Sequence, residues 1–139
     1  KLRNLERSNK MIGSNAFDYI NVLDKAADAS MERQQVLNNN IANVDTPGYK
    51  RKDVQFEKYL MTALHGSDSL DKQVAGIDCG SLDASVYTDN ANLSYRLDGN
   101  NVDIDTENSY LAQNQVRYYA LLDSMTQEFS RVRSVLQSN

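Results

Sequence analysis

From Ser14 to Val44, apolar and small residues recur at alternating gaps of four and three: Ala16, Ile20, Leu23, Ala27, Ser30, Gln34, Leu37, Ile41 and Val44. This is heptad spacing with two polar interruptions, Ser30 and Gln34, and it predicts one long amphipathic helix. Phe17 and Val36 widen its apolar face; Ser14 is a candidate N-cap, and Asp18 lies near the positive end of the helix dipole. About 30 residues at 1.5 Å per residue make a rod of roughly 45 Å. A second run has the same alternation: Leu111, Gln115, Tyr118, Leu122, Met125, Phe129, Val132 and Leu136. Asp103, Asp105 and Glu107 stand at its start and Arg131 and Arg133 near its end, both placements favouring the dipole of a helix from about Thr106 to Leu136.

The first helix has a defined stop. Thr46 precedes Pro47, which pushes it out of the helical region. Pro47-Gly48 fits the central positions of a type II turn, where Gly supplies a positive φ. The helix is therefore expected to end near Asn43 or Val44. Tyr49 to Leu64, with Val54, Phe56, Tyr59 and Leu60, reads as an extended segment leading into a short helix. His65 to Asn92, rich in Gly, Ser and Asp, reads as a connection or a loosely packed insert. Leu93, Tyr95 and Leu97 alternate with polar residues as a short strand would, and Asp98-Gly99 marks a turn.

The fold class expected is mainly α. Long N- and C-terminal helices pair as an antiparallel coiled-coil hairpin, and a small irregular or β-containing middle segment projects from one end. The division is 1–13, an extension set apart as non-native or disordered; 14–48, the first helix and its turn; 49–102, the middle segment; and 103–139, the second helix. Ile20, Leu23, Leu37, Ile41, Leu111, Tyr118, Leu122, Met125, Phe129, Val132 and Leu136 form the expected seam. Phe17, Val22, Val36, Val116, Tyr119, Leu121 and Val135 lie off it. A two-helix hairpin has no second layer for these. Either a partner covers them or the middle segment folds back over them.

Composition narrows the chemistry. The 139 residues carry a formal net charge of -4, so the basic footprint of a nucleic-acid binder is missing. The short cluster Lys50, Arg51 and Lys52 sits beside Asp53 and reads as a solvated loop face. One cysteine, Cys79, precludes an intrachain disulfide, and one histidine, His65, reads as a loop or helix-end residue rather than a metal ligand. No apolar run approaches a membrane span, and no signal with a basic start and apolar middle is seen. Asp98 to Glu107 lacks the Gly and Glu of a calcium loop. Asp103, Asp105 and Glu107 read as helix capping rather than as a catalytic pair. No catalytic residue, cofactor, metal site or small-molecule substrate is expected, and the chain reads as a non-enzyme.

The run from Arg33 to Lys50, with NNNIANVDTPGYK at its heart, strongly resembles the N-terminal signature of flagellar rod and hook axial proteins. The run DGNNVDIDTE from Asp98 to Glu107, followed by Leu111-Ala112-Gln113-Asn114 and Arg117-Tyr118-Tyr119, looks like the C-terminal region of the proximal-rod members of that family. The two stretches cover about half of the chain.

The resemblance implies a structural subunit of the proximal rod of the bacterial flagellar basal body. Such subunits self-assemble helically through their terminal helices and transmit torque. They leave through the flagellar type III export apparatus without a cleaved signal peptide and occupy the periplasmic rod. Implied partners are further copies, other rod proteins (FlgC-like), a FliE-like adaptor, a FliF-like membrane ring and the export gate. The implied assembly motif is Asn38, Asn39, Asn40, Ile41, Ala42, Asn43, Thr46, Pro47, Gly48 and Tyr49. Its asparagines are expected to bond a neighbouring subunit or to brace the Thr46–Tyr49 loop, beyond simple capping of one helix. Other classes are another rod or hook axial protein, a soluble coiled-coil adaptor or export chaperone, and an enzyme acting on peptidoglycan. The last would need a cleft and a catalytic pair.

Overall fold

A computed structural model describes residues 2–64, 68–90 and 96–137, with side chains from Ala16 onward. In chain order the elements are α1 (Leu2–Ala42), β1 (Lys52–Gln55), α2 (Glu57–Ala63), α3 (Leu70–Ala75), β2 (Ser85–Thr88) and α4 (Ile104–Gln137). α1 and α4 pack against each other as a long hairpin, as the two heptad runs predict.

α1 is longer than its periodic stretch. Its 41 residues span roughly 60 Å. Ser14 lies inside the helix and does not cap it, because Leu2 to Gly13 contains Leu, Arg, Glu and Met and no proline to stop it. The far end behaves as expected: helix geometry ceases at Ala42, and Tyr49 N–H donates to the Thr46 carbonyl at 3.2 Å across a turn with Gly48 at φ 71. This is the type II geometry that Pro47-Gly48 dictates.

The middle segment does not project from the end of the hairpin; it folds back along α1. β1 pairs antiparallel with β2, with Val54 opposite Val86. Phe56, Leu82 and Ala29 form a small core, with Ala26, Leu60, Ile77 and Ala84 packed around it. Tethers along α1 hold the segment down: Arg33 to Asp53, Lys25 to Asp83 at 2.9 Å, and the Tyr19 hydroxyl to Asp71 at 2.8 Å. Burial of Phe56, Val74 and Leu82 favours this docking, each large apolar side chain removed from water contributing about 1.5–3 kcal/mol. The extended-then-helical reading of 49–64 matches β1 and α2. His65, Leu93 and Tyr95 lie outside the described residues; Leu97 sits in a turn, fully exposed.

On α1, Ala16, Ile20, Ala27, Ser30 and Leu37 are buried, and Leu23, Gln34, Ile41 and Val44 half-buried. On α4 the register differs. Leu111, Tyr118, Met125 and Val132 face inward, but so do Glu107, Asn114, Leu121, Glu128 and Val135. Leu122, Phe129 and Leu136, expected in the seam, are 38%, 51% and 72% exposed. The sequence supports two heptad registers, because Leu121-Leu122 and Val135-Leu136 offer apolar residues to both. A polar contact selects between them. Asn114 Nδ2 donates to the Ser30 carbonyl at 2.8 Å and to Gln34 Oε1 at 3.2 Å, and Ser30 Oγ donates to Asn114 Oδ1 at 3.1 Å. A buried asparagine in a coiled-coil seam fixes register in this way.

Candidate assembly site

Where the hairpin closes, two turns meet back to back. Gly48 N–H donates to the Asp98 carbonyl at 2.7 Å, and the Asn101 N–H donates to the Tyr49 carbonyl at 3.4 Å. Gly48 (φ 71) and Gly99 (φ 74) both hold left-handed conformations. A Cβ built on Gly99 would lie 3.9 Å from the Gly48 Cα, an ordinary contact, so glycine is needed here for its conformation and not for space.

Asn100, fully buried, caps α1 from the other half of the chain. Its Nδ2 donates to the carbonyls of Asn43, Val44 and Thr46 at 2.9, 3.0 and 2.8 Å, while its Oδ1 accepts from Val102 N–H at 2.7 Å. Arg96 Nη1 adds a bond to the Val44 carbonyl at 2.9 Å. The last carbonyls of a helix lack partners within it, and here the approach to α4 supplies them.

Asn40 is equally buried and uses both ends of its amide. Nδ2 donates to the Lys52 carbonyl at 2.7 Å and to Glu107 Oε2 at 2.9 Å. Oδ1 accepts from Lys52 N–H at 2.9 Å and from the Tyr49 hydroxyl at 3.2 Å. One side chain thus fixes the end of α1, the start of β1 and the first turn of α4.

Beside it lies an ionic cluster. Arg51 Nε donates to Glu107 Oε1 at 2.6 Å, Nη2 to Asp53 Oδ2 at 3.3 Å, and Nη1 to Asp89. Arg33 meets Asp53 in a two-pronged pair at 2.8 and 3.2 Å. Both guanidinium groups stand over the Tyr110 ring, at 5.8 Å for Arg33 and 5.5 Å for Arg51. Burial pushes the Asp53 carboxyl up, but Arg33, the Val54 amide and Arg51 together outweigh it and hold it below the ordinary 3.8. Burial likewise disfavours the Arg51 cation, and Glu107, Asp89 and Asp53 overcome it, so Arg51 stays charged. Among the described residues no buried side-chain nitrogen or oxygen lacks a hydrogen-bond partner. A fully satisfied polar network of this kind specifies one arrangement of its segments.

Arg51 corrects the reading of Lys50-Arg51-Lys52 as a solvated face. Lys50 and Lys52 are exposed, but the Arg51 side chain is only 5% exposed. Entry into an extended strand alternates side chains, so Arg51 and Asp53 turn inward and the lysines outward. That two-residue alternation was the available signal. Glu107 likewise does not cap its helix; Asp103 does, accepting from Asp105 N–H at 3.1 Å and from Thr106 Oγ1 at 2.9 Å.

The structure draws Asn40, Asn43, Thr46, Gly48 and Tyr49 of the expected motif together with Asn100, Asn101 and Glu107. Asn43 Oδ1 accepts from Thr46 Oγ1 at 3.1 Å, bracing the loop. Ile41 is half-buried in the seam, whereas Asn38, Asn39, Ala42 and Pro47 are exposed.

Residues 20–50, which hold Asn40 and the turn, match the family model described as flagella basal body rod protein. The chain is 36% identical over 115 residues to the flagellar basal body rod protein FlgB of Bacillus subtilis (strain 168), covering 82% of this chain and 89% of that protein. The chain belongs to the FlgB family of flagellar basal body rod proteins. It is also 33% identical over 123 residues to FlgB of Escherichia coli (strain K12), covering 82% of this chain and 89% of the relative. Against FlgB of Borreliella burgdorferi the figure is 34% over 117 residues, covering 76% and 85%.

These alignments to FlgB proteins extend well beyond the 20–50 match. In this FlgB-family chain, the rod signature supplies Asn40, Tyr49 and the turn, and the far half supplies Asn100, Asn101 and Glu107. Among the described residues no helix is long and apolar enough to cross a membrane.

Proposed function

We propose that this chain is a structural subunit at the proximal end of the flagellar rod, built into the basal body through its two terminal helices. One observation carries the reading. The polar network around Asn40, Arg51 and Asn100 welds the two terminal segments into a single stiff hairpin, while Leu122, Phe129 and Leu136 on α4 stay exposed among the described residues. A stiff hairpin with an uncovered apolar side suits a building block that carries torque and completes its packing in an assembly.

In this reading the chain crosses the envelope through the flagellar export apparatus and lies in the periplasmic rod. It contacts further copies, FlgC-like rod subunits, a FliE-like adaptor, and a FliF-like ring near the export gate. Asn38, Asn39 and Pro47, exposed on the outside of the motif, face a neighbour there. Asn40, Asn43, Thr46, Gly48 and Tyr49 act indirectly, by shaping that surface. The function is mechanical, not catalytic.

Immunogold labelling of purified basal bodies with an epitope-tagged chain tests the placement. Gold at the membrane-proximal end of the rod is expected. Gold along the distal rod or hook would assign the chain to another axial position, and label confined to the cytosol would favour the adaptor or chaperone reading.

A further inference from the structure

The excursion between β1 and β2 begins and ends at one ladder pair, Gln55 opposite Ser85. Its two ends are therefore held together whatever the chain between them does. At its start Phe56 and Leu60 pack toward Ala29. Residues 68–84 then run along α1, against Tyr19, Ala26 and Ala29, which with Val22 stand one above another at helical spacing.

This stretch is lightly held. From 68 to 84 only Val74 and Leu82 are buried. Its polar ties, Asp71 to the Tyr19 hydroxyl and Asp83 to Lys25, are both exposed, and exposed contacts of this kind contribute little. The seat of Leu82 is loose. With Asp83, Ala84, Lys25, Asp28 and Glu32 it borders an open groove of about 360 Å³, and its neighbour Ala29 borders a second cavity of about 300 Å³ with Phe56 and Leu60. Ordering of the backbone opposes docking at every residue, while burial favours it chiefly at Val74 and Leu82. The neighbouring β1 is held differently. Arg51, Asp53, Val54 and Phe56 are buried, and Arg51 and Asp53 carry the ionic ties to Glu107 and Arg33. Local stability therefore drops between β1 and the 68–84 stretch, and weakly held segments open as units while the rest stays folded.

We propose that residues 68–84 are a releasable strap. Closed, the strap covers the Tyr19–Ala29 face of α1. Open, it leaves that face while the β1–β2 ladder and the α1–α4 seam stay intact. The Gln55–Ser85 pair keeps its two ends in place, and the Tyr19–Asp71 and Lys25–Asp83 contacts are its latches. Opening bares Val22, Ala26 and Ala29, so one chain presents this part of α1 either covered or bare without unfolding.

The test uses the purified full chain with its one native thiol removed, Cys79→Ser. Single probes are then placed at buried positions: Val74→Cys in the strap, Ala29→Cys beneath it, and Ala27→Cys in the seam. Labelling by N-ethylmaleimide is followed by mass spectrometry. The strap and floor probes are expected to label at a common rate, at least about tenfold faster than the seam probe. Asp83→Ala should speed labelling of Val74→Cys about threefold, the weight of one exposed ion pair, and leave the seam probe unchanged. Hydrogen exchange on the unsubstituted chain gives a second reading. The Gly76 and Ile77 amides, bonded at the end of α3, should exchange ahead of the Asp89 amide, bonded to the Arg51 carbonyl. One common labelling rate for all three probes, with Gly76, Ile77 and Asp89 exchanging together, means that the segment opens only with the whole fold and overturns the strap. Labelling of Val74→Cys as fast as in the urea-unfolded chain means that it never closes on α1, and overturns it equally.

Discussion

Arg51 and Glu107 pair at 2.6 Å across 56 positions of sequence, with side chains only 5% and 1% exposed. The bond joins the segment leaving the rod signature to the first turn of α4. Removing one member leaves the other charge buried. Glu107→Ala is expected to destabilise the fold by about 3–5 kcal/mol. Urea unfolding followed by circular dichroism checks this, and a loss under 1 kcal/mol would mean that the pair is solvated.

Asn100 satisfies three carbonyls at the end of α1. Asn100→Ala should cost about 1–3 kcal/mol, because the buried Val102 N–H loses its acceptor and the three carbonyls lose a shared donor. The effect should be local first: hydrogen exchange should quicken at Asn43 to Tyr49 before the middle of α1 responds. Uniform acceleration along α1 would argue against a cap.

Gly48 has no atom within 4 Å of a built Cβ, so its replacement meets no clash and only a strained φ. Gly48→Ala is expected to cost roughly 1–2 kcal/mol. Pro47→Ala should cost less, since Pro47 is exposed and serves mainly to preset the turn. The double variant should impair rod assembly in cells; normal rod numbers by electron microscopy would remove the turn from the assembly account.

Acid should loosen the cluster through Asp53. Its folded value lies below the ordinary 3.8, so the stabilisation is complete above that pH and is lost as pH falls through the folded value. Unfolding midpoints measured from pH 6 down to 2 should therefore fall more steeply for wild type than for Asp53→Asn in the window below about 3.8. Parallel curves would place the acid sensitivity elsewhere.

Burial separates fold from assembly along the helices. Leu37 is fully buried, and Leu37→Ala should cost about 2–5 kcal/mol. Phe129 and Leu136 are 51% and 72% exposed, and Phe129→Ser with Leu136→Ser should leave the unfolding midpoint nearly unchanged. The same pair should abolish incorporation into rods. Equal losses of stability in both variants would return Phe129 and Leu136 to the seam.

Much of this was legible in the sequence. Heptad spacing marked both helices, and Thr46-Pro47-Gly48 marked the stop and the turn type, because local sterics decide both. The α4 register was not legible, since apolar residues satisfied two alternatives and the choice lay with Asn114 meeting Ser30, 84 positions away. Arg51 was legible only in part: strand alternation turns it inward with Asp53, but its partners Glu107 and Asp89 are not revealed by spacing along the chain. Asn40 and Asn100 could be flagged as motif members, but their shared task of joining the two halves shows only once the hairpin is closed. The middle segment's docking on α1 rests on Phe56, Val74 and Leu82, scattered apolar residues with no period to betray them.

Deleting the gene in its source bacterium and imaging isolated basal bodies by electron microscopy tests the central claim most directly. Membrane rings lacking rod and hook, with both restored by the gene supplied in trans, are the expected result. Intact rods and hooks in the deletion strain would contradict the assignment of this chain as a rod subunit.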